Sequence, residues 1–481
     1  MEITSKRKPG LFVGPLLCII LLLFPPPEGL SLAGWRTAAL GTWMATWWIT
    51  EAIPLAATSL LPIVALPLLQ AGTIREATLP FADPVIFLFM GGFMIAIAMQ
   101  RWNLHRRIAL HILQGVGTST LRVLLGFSLA TAFLSMWISN TATTMMMLPL
   151  AVSILEFHFQ HEGKTPVTLN FARVLLLTIA YSASIGGVGT LIGTPPNALL
   201  AGFLLENYHM EIGFAQWMAI GVPFVLLMLP LMLFLLSRWI FPVARAQVAG
   251  GEHLILQELQ KMGPMSAPER KVLWVFVGVV ILWMIRQPLS QVLPGLSDAG
   301  IAIAGAVVLF TLPAGPRTRV LNWEWASRIP WDILLLFGGG LSLASAIQRN
   351  GLAEWLGTQT AGLGHWPLPA IVLLITTFIV LLTELTSNTA TTAAFLPIVA
   401  SVAVGLGYSP LTLAIPTAIG ASCAFMLPVA TPPNAIVFGS GYLNIKDMTR
   451  AGIWLNVVSI LIITLLSVLW APFVLDRLLH L

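Results

Sequence analysis

The stretch ISNTATTMMMLP, Ile138 to Pro149, returns as TSNTATTAAFLP, Thr386 to Pro397, 248 positions further along the chain. Working outward, FMGGFMIAIAMQRWNL from Phe89 returns as FGGGLSLASAIQRNGL from Phe337, again at an offset of 248. Downstream, GTPPNALL from Gly193 returns as ATPPNAIV from Ala430, at an offset of 237 because the connection is shorter in the second copy. Three collinear matches define an internal repeat, and repeats of this kind in a membrane protein place the ligand site where the two copies meet.

The solvent of this chain is lipid. Of its 481 residues 57% are hydrophobic and 9% charged, and a soluble fold could not bury that much apolar surface. Charge-free runs such as Leu11 to Phe24, Val272 to Ile285 and Trp454 to Trp470 recur along its length, each near the span a helix needs to cross the hydrocarbon. The expected fold class is an all-α polytopic membrane protein. The start Lys6, Arg7, Lys8 precedes a long apolar run without an evident cleavage site, so it reads as a retained first span with a cytoplasmic N-terminus. With the spans below, Arg36, Arg75, Arg286, Arg349 and Arg477 fall outside and every other Lys and Arg inside. That bias orients the chain in the inner (plasma) membrane, C-terminus outside. The two cysteines, Cys18 and Cys423, lie in apolar segments and form no metal or disulfide framework.

The chain divides into a first helix (1–30), a first repeat (31–244), a cytoplasmic linker (245–271) and a second repeat (272–481). Helices are expected near 11–26, 33–49, 52–70, 82–100, 215–237, 272–286, 297–313, 331–348 and 452–475. Hairpins are expected over 119–158 and 367–403, and interrupted helices over 174–205 and 411–442. Each hairpin has a polar, turn-forming Ser-Asn-Thr centre that lipid cannot solvate, so both are read as re-entrant. The interruptions are placed at Thr194-Pro195-Pro196-Asn197 and its counterpart, where paired prolines remove amide donors and release upstream carbonyls. An odd number of full crossings separates corresponding elements, which makes the second repeat upside down.

Four such breaks meeting near the midplane have a definite chemistry. The helix starts after the Ser-Asn-Thr tips present amides and partial positive charge, suited to carboxylates. Freed carbonyls and the side-chain oxygens of Asn140 and Asn388 are hard ligands for a small cation. No Lys or Arg occurs between Arg122 and Lys164, Arg173 and Arg238, or Arg349 and Lys446. A bound dianion must then be balanced by cations and helix dipoles, with the hydroxyls of Thr141, Thr194, Thr389 and Thr431 as donors. Gly91, Gly92 and Gly338 to Gly340 read as helix-packing positions. Glu51 and Glu384 are functional candidates because a carboxylate inside a membrane is costly.

The duplicated Ser-Asn-Thr and Thr-Pro-Pro-Asn motifs, with TWWITEAIPLAATSLLP from Thr46 to Pro62, resemble the divalent anion:sodium symporter family over nearly the whole chain. The resemblance implies about eleven transmembrane helices with two re-entrant hairpins in two inverted repeats. It also implies a homodimer and an elevator-like transport domain. One sodium site would take Ser135, Ser139, Asn140 and Gly193; the other Thr383, Thr386, Asn388 and Ala430. Substrate carboxylates would lie against Asn140, Thr141, Thr194, Pro195, Asn388, Thr389, Thr431 and Pro432. The copies differ at Met136 against Glu384.

The expected function is sodium-coupled symport of a small dianion, preferably a C4-dicarboxylate, because two opposed tips suit two carboxylates better than one tetrahedral ion. Moving a dianion into a negative cell costs ~4.6 kcal/mol per 100 mV, so two sodium ions cancel the charge and a third makes uptake electrogenic. Competing readings are dicarboxylate or tricarboxylate exchange, sulfate transport, and a passive anion channel. Phosphate-loop, HExxH and GxSxG motifs are absent, so an enzyme is not expected. Sodium is the expected coupling ion, with no organic cofactor, and lipid rather than nucleic acid is the surrounding partner.

Overall fold

A computed structural model of the chain describes residues 10–244, 246–248 and 251–474. The first part runs through α1 (Gly10–Leu23), α2 (Leu32–Thr50), α3 (Leu55–Thr58), α4 (Leu61–Leu68), α5 (Ile74–Thr78), α6 (Pro84–Arg101) and α7 (Leu104–Val116). The hairpin α8 (Thr120–Ser135) and α9 (Asn140–Glu162) follows, then α10 (Pro166–Gly187), α11 (Pro195–Tyr208) and α12 (Phe214–Phe234). Beyond α13 (Gly251–Met262) come α14 (Ala267–Ser290), α15 (Asp298–Thr311), α16 (Trp323–Ala326), α17 (Trp331–Arg349) and α18 (Leu352–Gln359). A second hairpin, α19 (Leu368–Thr383) and α20 (Asn388–Gly405), leads to α21 (Leu411–Ala421), α22 (Pro432–Phe438) and α23 (Ile445–Leu465). A two-stranded ribbon at Pro313–Gly315 and Thr318–Arg319 is the only sheet among the described residues.

Eight helical stretches among the described residues are long and apolar enough to cross a membrane. α1, described from Gly10, ends at Leu23, ahead of Pro25–Pro27 and short of the expected residue 26. Lys6, Arg7, Lys8, Arg245 and Arg477 lie outside the described residues. α8 and α19, with 16 residues each, reach about 24 Å, whereas their partners α9 and α20 are long enough to span.

Several expected boundaries are corrected. The helix expected over 52–70 is broken: Glu51 adopts a left-handed conformation (φ 46°, ψ 43°) that ends α2, and Pro54 caps the short α3 before α4 begins. α10 starts at Pro166, not 174, through a reciprocal Thr165/Thr168 cap. Arg173 does not end it because its guanidinium pairs with Asp447 at 3.2 Å. α23 starts at Ile445 rather than 452, where Asn444 and Asp447 cap each other's amides. The linker contains α13, held to α7 by Arg106–Glu258. α7 and α18 lie outside the expected spans; α7 carries apolar residues on one face and Arg106 and Arg107 in its first turn, a pattern hidden between longer apolar runs.

Helices approach closely where side chains are absent. A Cβ on Gly91 of α6 would lie 2.6 Å from the Ala302 carbonyl carbon of α15, and one on Gly339 of α17 would lie 2.2 Å from the Ser59 carbonyl oxygen. Without a hydrophobic drive in lipid, such backbone proximity supplies the packing between helices. The two hairpins interlock with the opposite half: α22 packs on α9 and α10, and α11 packs on α20 and α21. That exchange brings both tips to one place.

Candidate functional site

Each tip is a helix start. Ser139 caps α9, its hydroxyl accepting from Ala142 N at 3.3 Å, and Asn140 is the first helical residue. Ser387 and Asn388 take the same places at α20. The prolines act differently from expectation. Pro195 and Pro432 open new helices, α11 and α22, with Thr194 and Thr431 as caps. A proline there costs nothing, since a helix's first amide has no intrahelical acceptor in any case. The chain is therefore unwound upstream of the prolines, over 188–194 and 422–431. All four motifs present helix N-termini, and the carbonyls come from the preceding loops. α22 has only seven residues, so its dipole is the weakest of the four.

The four starts surround a cavity of about 580 Å³. Ser139, Asn140, Thr141, Gly193, Thr194, Pro195, Thr386, Asn388, Thr389, Ala430, Thr431 and Pro432 line it, so twelve of the predicted site residues come together. Ser135 and Thr383 do not reach the cavity and stand directly behind it. Ser135 Oγ is 2.5 Å from Asn140 Oδ1 and 2.7 Å from the Ala183 carbonyl oxygen. Thr383 Oγ1 is 2.8 Å from Asn388 Oδ1 and 2.8 Å from the Ala421 carbonyl oxygen. Each hydroxyl has one hydrogen for two acceptors. One close oxygen–oxygen contact thus remains at each tip, which a small cation would relieve. Thr386 is already engaged, its hydroxyl lying 3.0 Å from the Leu382 carbonyl and 2.6 Å from Thr391 Oγ1.

The oxygens are held from behind by the paired asparagines of the proline motifs. Asn197 Nδ2 donates to the carbonyls of Gly187 (3.1 Å) and Thr190 (2.7 Å). Asn434 Nδ2 donates to those of Ala424 (3.1 Å) and Leu427 (3.0 Å). On the first side the fit is tight enough to require glycine. A Cβ on Gly187 would lie 2.7 Å from Asn140 Oδ1, and one on Gly193 would lie 2.4 Å from the Gly187 carbonyl oxygen. The corresponding second-side residues are Ala424 and Ala430.

Among the described residues lining the cavity Glu51 is the only charged side chain, and no lysine or arginine is present. A dianion there meets hydroxyls, helix starts and any bound cations. No group of His, Cys, Asp or Glu among the described residues is arranged to hold a metal ion, so cation ligands here would be neutral oxygens, as suits a monovalent hard ion better than a transition metal. Sequence reasoning missed the apolar part of the lining, where Ile49, Phe93, Ile192, Ile333, Leu385 and Val429 form walls. They carry no motif, and only the packing of α2, α6 and α17 around the tips reveals them.

The profile of the sodium:sulfate symporter transmembrane region matches residues 8–475. The chain is 45% identical over 473 residues to the sodium-dependent dicarboxylate transporter SdcS of Staphylococcus saprophyticus, covering 96% of this chain and 91% of that protein. It is also 45% identical to SdcS of Staphylococcus aureus strain USA300, covering 98% and 94%. Among solved structures it resembles the YdaH transporter of Alcanivorax borkumensis (TM-score 0.58, 16% identity, 90% of this chain and 98% of that one). It also resembles MtrF of Neisseria gonorrhoeae, described with antimetabolite efflux pumps (TM-score 0.61, 13% identity, 95% and 94%). These two likenesses concern the fold alone, a helical membrane protein. With its duplicated tips converging on one cavity and the family profile matched almost end to end, the chain belongs to the sodium:sulfate symporter family of divalent anion:sodium symporters.

Proposed function

We propose that this protein is a secondary transporter that carries a C4-dicarboxylate into the cell together with sodium. The observation that carries the reading is the cavity: four helix starts face it, neutral oxygens back two of them, and among the described residues no cationic side chain lines it. The arrangement suits an anion bound with cations, since cations beside Asn140 and Asn388 would balance the carboxylates. The relatives' description as sodium-dependent dicarboxylate transporters supports the same substrate class.

In this reading one sodium ion is held by Ser135, Ser139, Asn140 and the Gly193 carbonyl. The other is held by Thr383, Thr386, Asn388 and the Ala430 carbonyl. Asn140, Thr141, Thr194 and Pro195 hold one carboxylate; Asn388, Thr389, Thr431 and Pro432 hold the other. The two halves are inverted repeats, about eleven helices in all with re-entrant hairpins, and the site moves as a unit in an elevator-like exchange of access within a homodimer. The protein sits in the inner membrane with its N-terminus in the cytoplasm and C-terminus outside, uses no organic cofactor and catalyses no reaction.

Uptake of labelled succinate into proteoliposomes, with an inward sodium gradient against a matched potassium control, tests this. Sodium-dependent accumulation that is lost in Asn140→Ala and Asn388→Ala is expected. Uptake that ignores sodium and rises with succinate loaded inside would replace symport by exchange.

A further inference from the structure

Away from the cavity, α8 and α12 part along their outer faces and leave a groove of about 340 Å³. One wall is Leu121, Leu125 and Leu129, a turn apart on α8; the other is Leu226, Pro230 and Leu233 on α12. Leu125, Leu129 and Leu226 are exposed, at 40%, 41% and 65%, so no described part of the chain covers them. The groove is fixed at its inner end. Thr120 N donates to the Ala246 carbonyl at 2.9 Å and Ala246 N donates to Thr120 Oγ1 at 3.0 Å, which ties the start of α8 to the segment that follows α12.

That same end is polar. A π-helical turn, Leu235–Ile240, continues α12 and brings Ser237 and Arg238 to the groove. Ser237 is satisfied, its hydroxyl donating to the Leu233 carbonyl at 2.6 Å. Arg238 has no hydrogen bond or ion pair among the described residues, and neither has Arg122 in the first turn of α8. A guanidinium at the foot of an apolar slot with no partner in the chain is matched by an anion. Trp239, beside Arg238, packs on Trp454 with ring centroids 4.7 Å apart while both stay exposed, at 55% and 41%; such tryptophans mark the depth of the headgroups. From there the walls rise about 12 Å along α8, from Leu121 to Leu129, and about 18 Å along α12, from Arg238 back to Leu226. One leaflet of hydrocarbon is about 15 Å deep. The slot therefore has the length of one acyl chain and ends at the level of its phosphate.

We propose that this groove binds one anionic phospholipid, with an acyl chain between α8 and α12 and its phosphate on Arg238, assisted by Arg122. In the orientation proposed above this end is cytoplasmic, the face on which anionic headgroups attract basic residues. The lipid buttresses α8, the hairpin arm that reaches only about 24 Å, against α12, and so supports the tip at Ser139 that α8 leads into.

The test is native mass spectrometry and thermal unfolding of the full-length protein, delipidated in detergent and titrated with phosphatidylglycerol, phosphatidylcholine or glycerol phosphate. Phosphatidylglycerol is expected to bind once per protomer, about fivefold more tightly than phosphatidylcholine, and to raise the unfolding temperature. Glycerol phosphate, which lacks the chains, should do neither. Arg238→Ala should weaken phosphatidylglycerol about fivefold and leave phosphatidylcholine unchanged, so that the preference disappears. Leu125→Trp, which fills the slot, should weaken both lipids about tenfold, the worth of roughly two buried methylenes; if it does not fold, the lost preference in Arg238→Ala decides alone. Arg317→Ala, which removes an exposed arginine that does not line the groove, is the control. Equal binding of the two lipids, an equal loss in Arg317→Ala, or glycerol phosphate binding as tightly as phosphatidylglycerol each overturns the proposal, in favour of ordinary lipid-facing surface, general attraction to charge, or a free-phosphate site. A change in the number of protomers in Leu125→Trp would make the groove an interface between copies and overturn it too. Neither sodium nor succinate takes part, so these outcomes leave the transport reading where it stands.

Discussion

Ser135 Oγ lies 2.5 Å from Asn140 Oδ1 across the first tip, and Thr383 Oγ1 lies 2.8 Å from Asn388 Oδ1 across the second. In both places the hydroxyl also meets a helix carbonyl, Ala183 or Ala421. A hydroxyl that can satisfy only one of two acceptors leaves an oxygen cluster with surplus lone pairs.

Ser135→Ala and Thr383→Ala each delete one oxygen of a cluster. Half-saturating sodium is expected to rise about tenfold in each, roughly the 1.4 kcal/mol of one favourable contact, while thermal unfolding in detergent moves little because the carbonyls keep their helices. Ser135→Thr and Thr383→Ser keep the oxygen and should stay near wild type. A sodium titration of succinate uptake reads this directly, and unaltered curves for both alanine variants would remove these oxygens from the cation sites.

Gly187→Ala should abolish sodium-dependent uptake. The added Cβ would sit 2.7 Å from Asn140 Oδ1 and 3.2 Å from the Gly193 carbonyl oxygen, displacing two of the four proposed ligands of the first site together. Overpacking of this kind costs about 1–3 kcal/mol, so the variant should still insert and fold. Gly278→Ala is the control, since nothing lies within 4 Å of a Cβ there. Ala424, at the place corresponding to Gly187, shows that the second side already accommodates a Cβ; Ala424→Gly should leave uptake close to wild type.

The contrast between those two residues marks how far the sequence can be read. The tips were legible because a polar Ser-Asn-Thr inside an apolar run has one comfortable place, a helix start turned away from lipid. The Thr-Pro-Pro-Asn motifs were legible as breaks but were set a few residues late. A proline announces where a helix cannot continue, and at these sites it is where the next helix begins. Glu384 stood out as an intramembrane acid, yet its partners lie 41 to 72 residues away and no local pattern encodes them. Phe93 and Ile333 carry no signal at all, because an apolar residue facing a cavity and one facing lipid read the same. α7 leaves no legible signal for the opposite reason: Arg106 and Arg107 interrupt its apolar run, although Arg107 turns inward to a partner on α14.

That partner is Glu269, and the pair carries a stability prediction. Arg107 Nε meets Glu269 Oε1 at 2.6 Å and Nη2 meets Oε2 at 3.2 Å, while Nη1 donates to the Gly263 carbonyl at 3.0 Å. Both side chains are nearly inaccessible, at 9% and 4%. Removing one member leaves a buried charge unpaired, which costs about 3–5 kcal/mol. Arg107→Ala is therefore expected to lower the thermal unfolding temperature clearly. Glu269→Ala should do so further, because Glu269 also receives the Ser266 amide at the start of α14. The double variant Arg107→Met, Glu269→Met should recover much of the loss. A double variant no better than the worse single one would show that the pair's geometry, not its unpaired charge, holds α7 against the linker.

The mouth of the cavity gives the last prediction. Leu385 and Val429 line it with 72% and 81% of their surface exposed. Their counterparts at the repeat offsets, Trp137 and Ile192, are each 7% exposed, with Trp137 stacked on Phe214 at 6.0 Å. Ile192 lines the cavity too but is packed against its neighbours, whereas Leu385 and Val429 stand open, and exposed apolar groups beside a polar site are what a bound ligand covers. Both native cysteines are buried, so Leu385→Cys and Val429→Cys can be labelled against a quiet background by a membrane-impermeant maleimide. Rapid labelling is expected when the reagent has access to the cytoplasmic or the outer face but not both, which tells which way the cavity opens. Sodium and succinate together should slow it about tenfold, and neither alone should do so, because the cations and the dianion depend on one another for charge balance. Full protection by succinate in potassium would sever that link and would mean that the anion is held by the helix starts without a coupled ion.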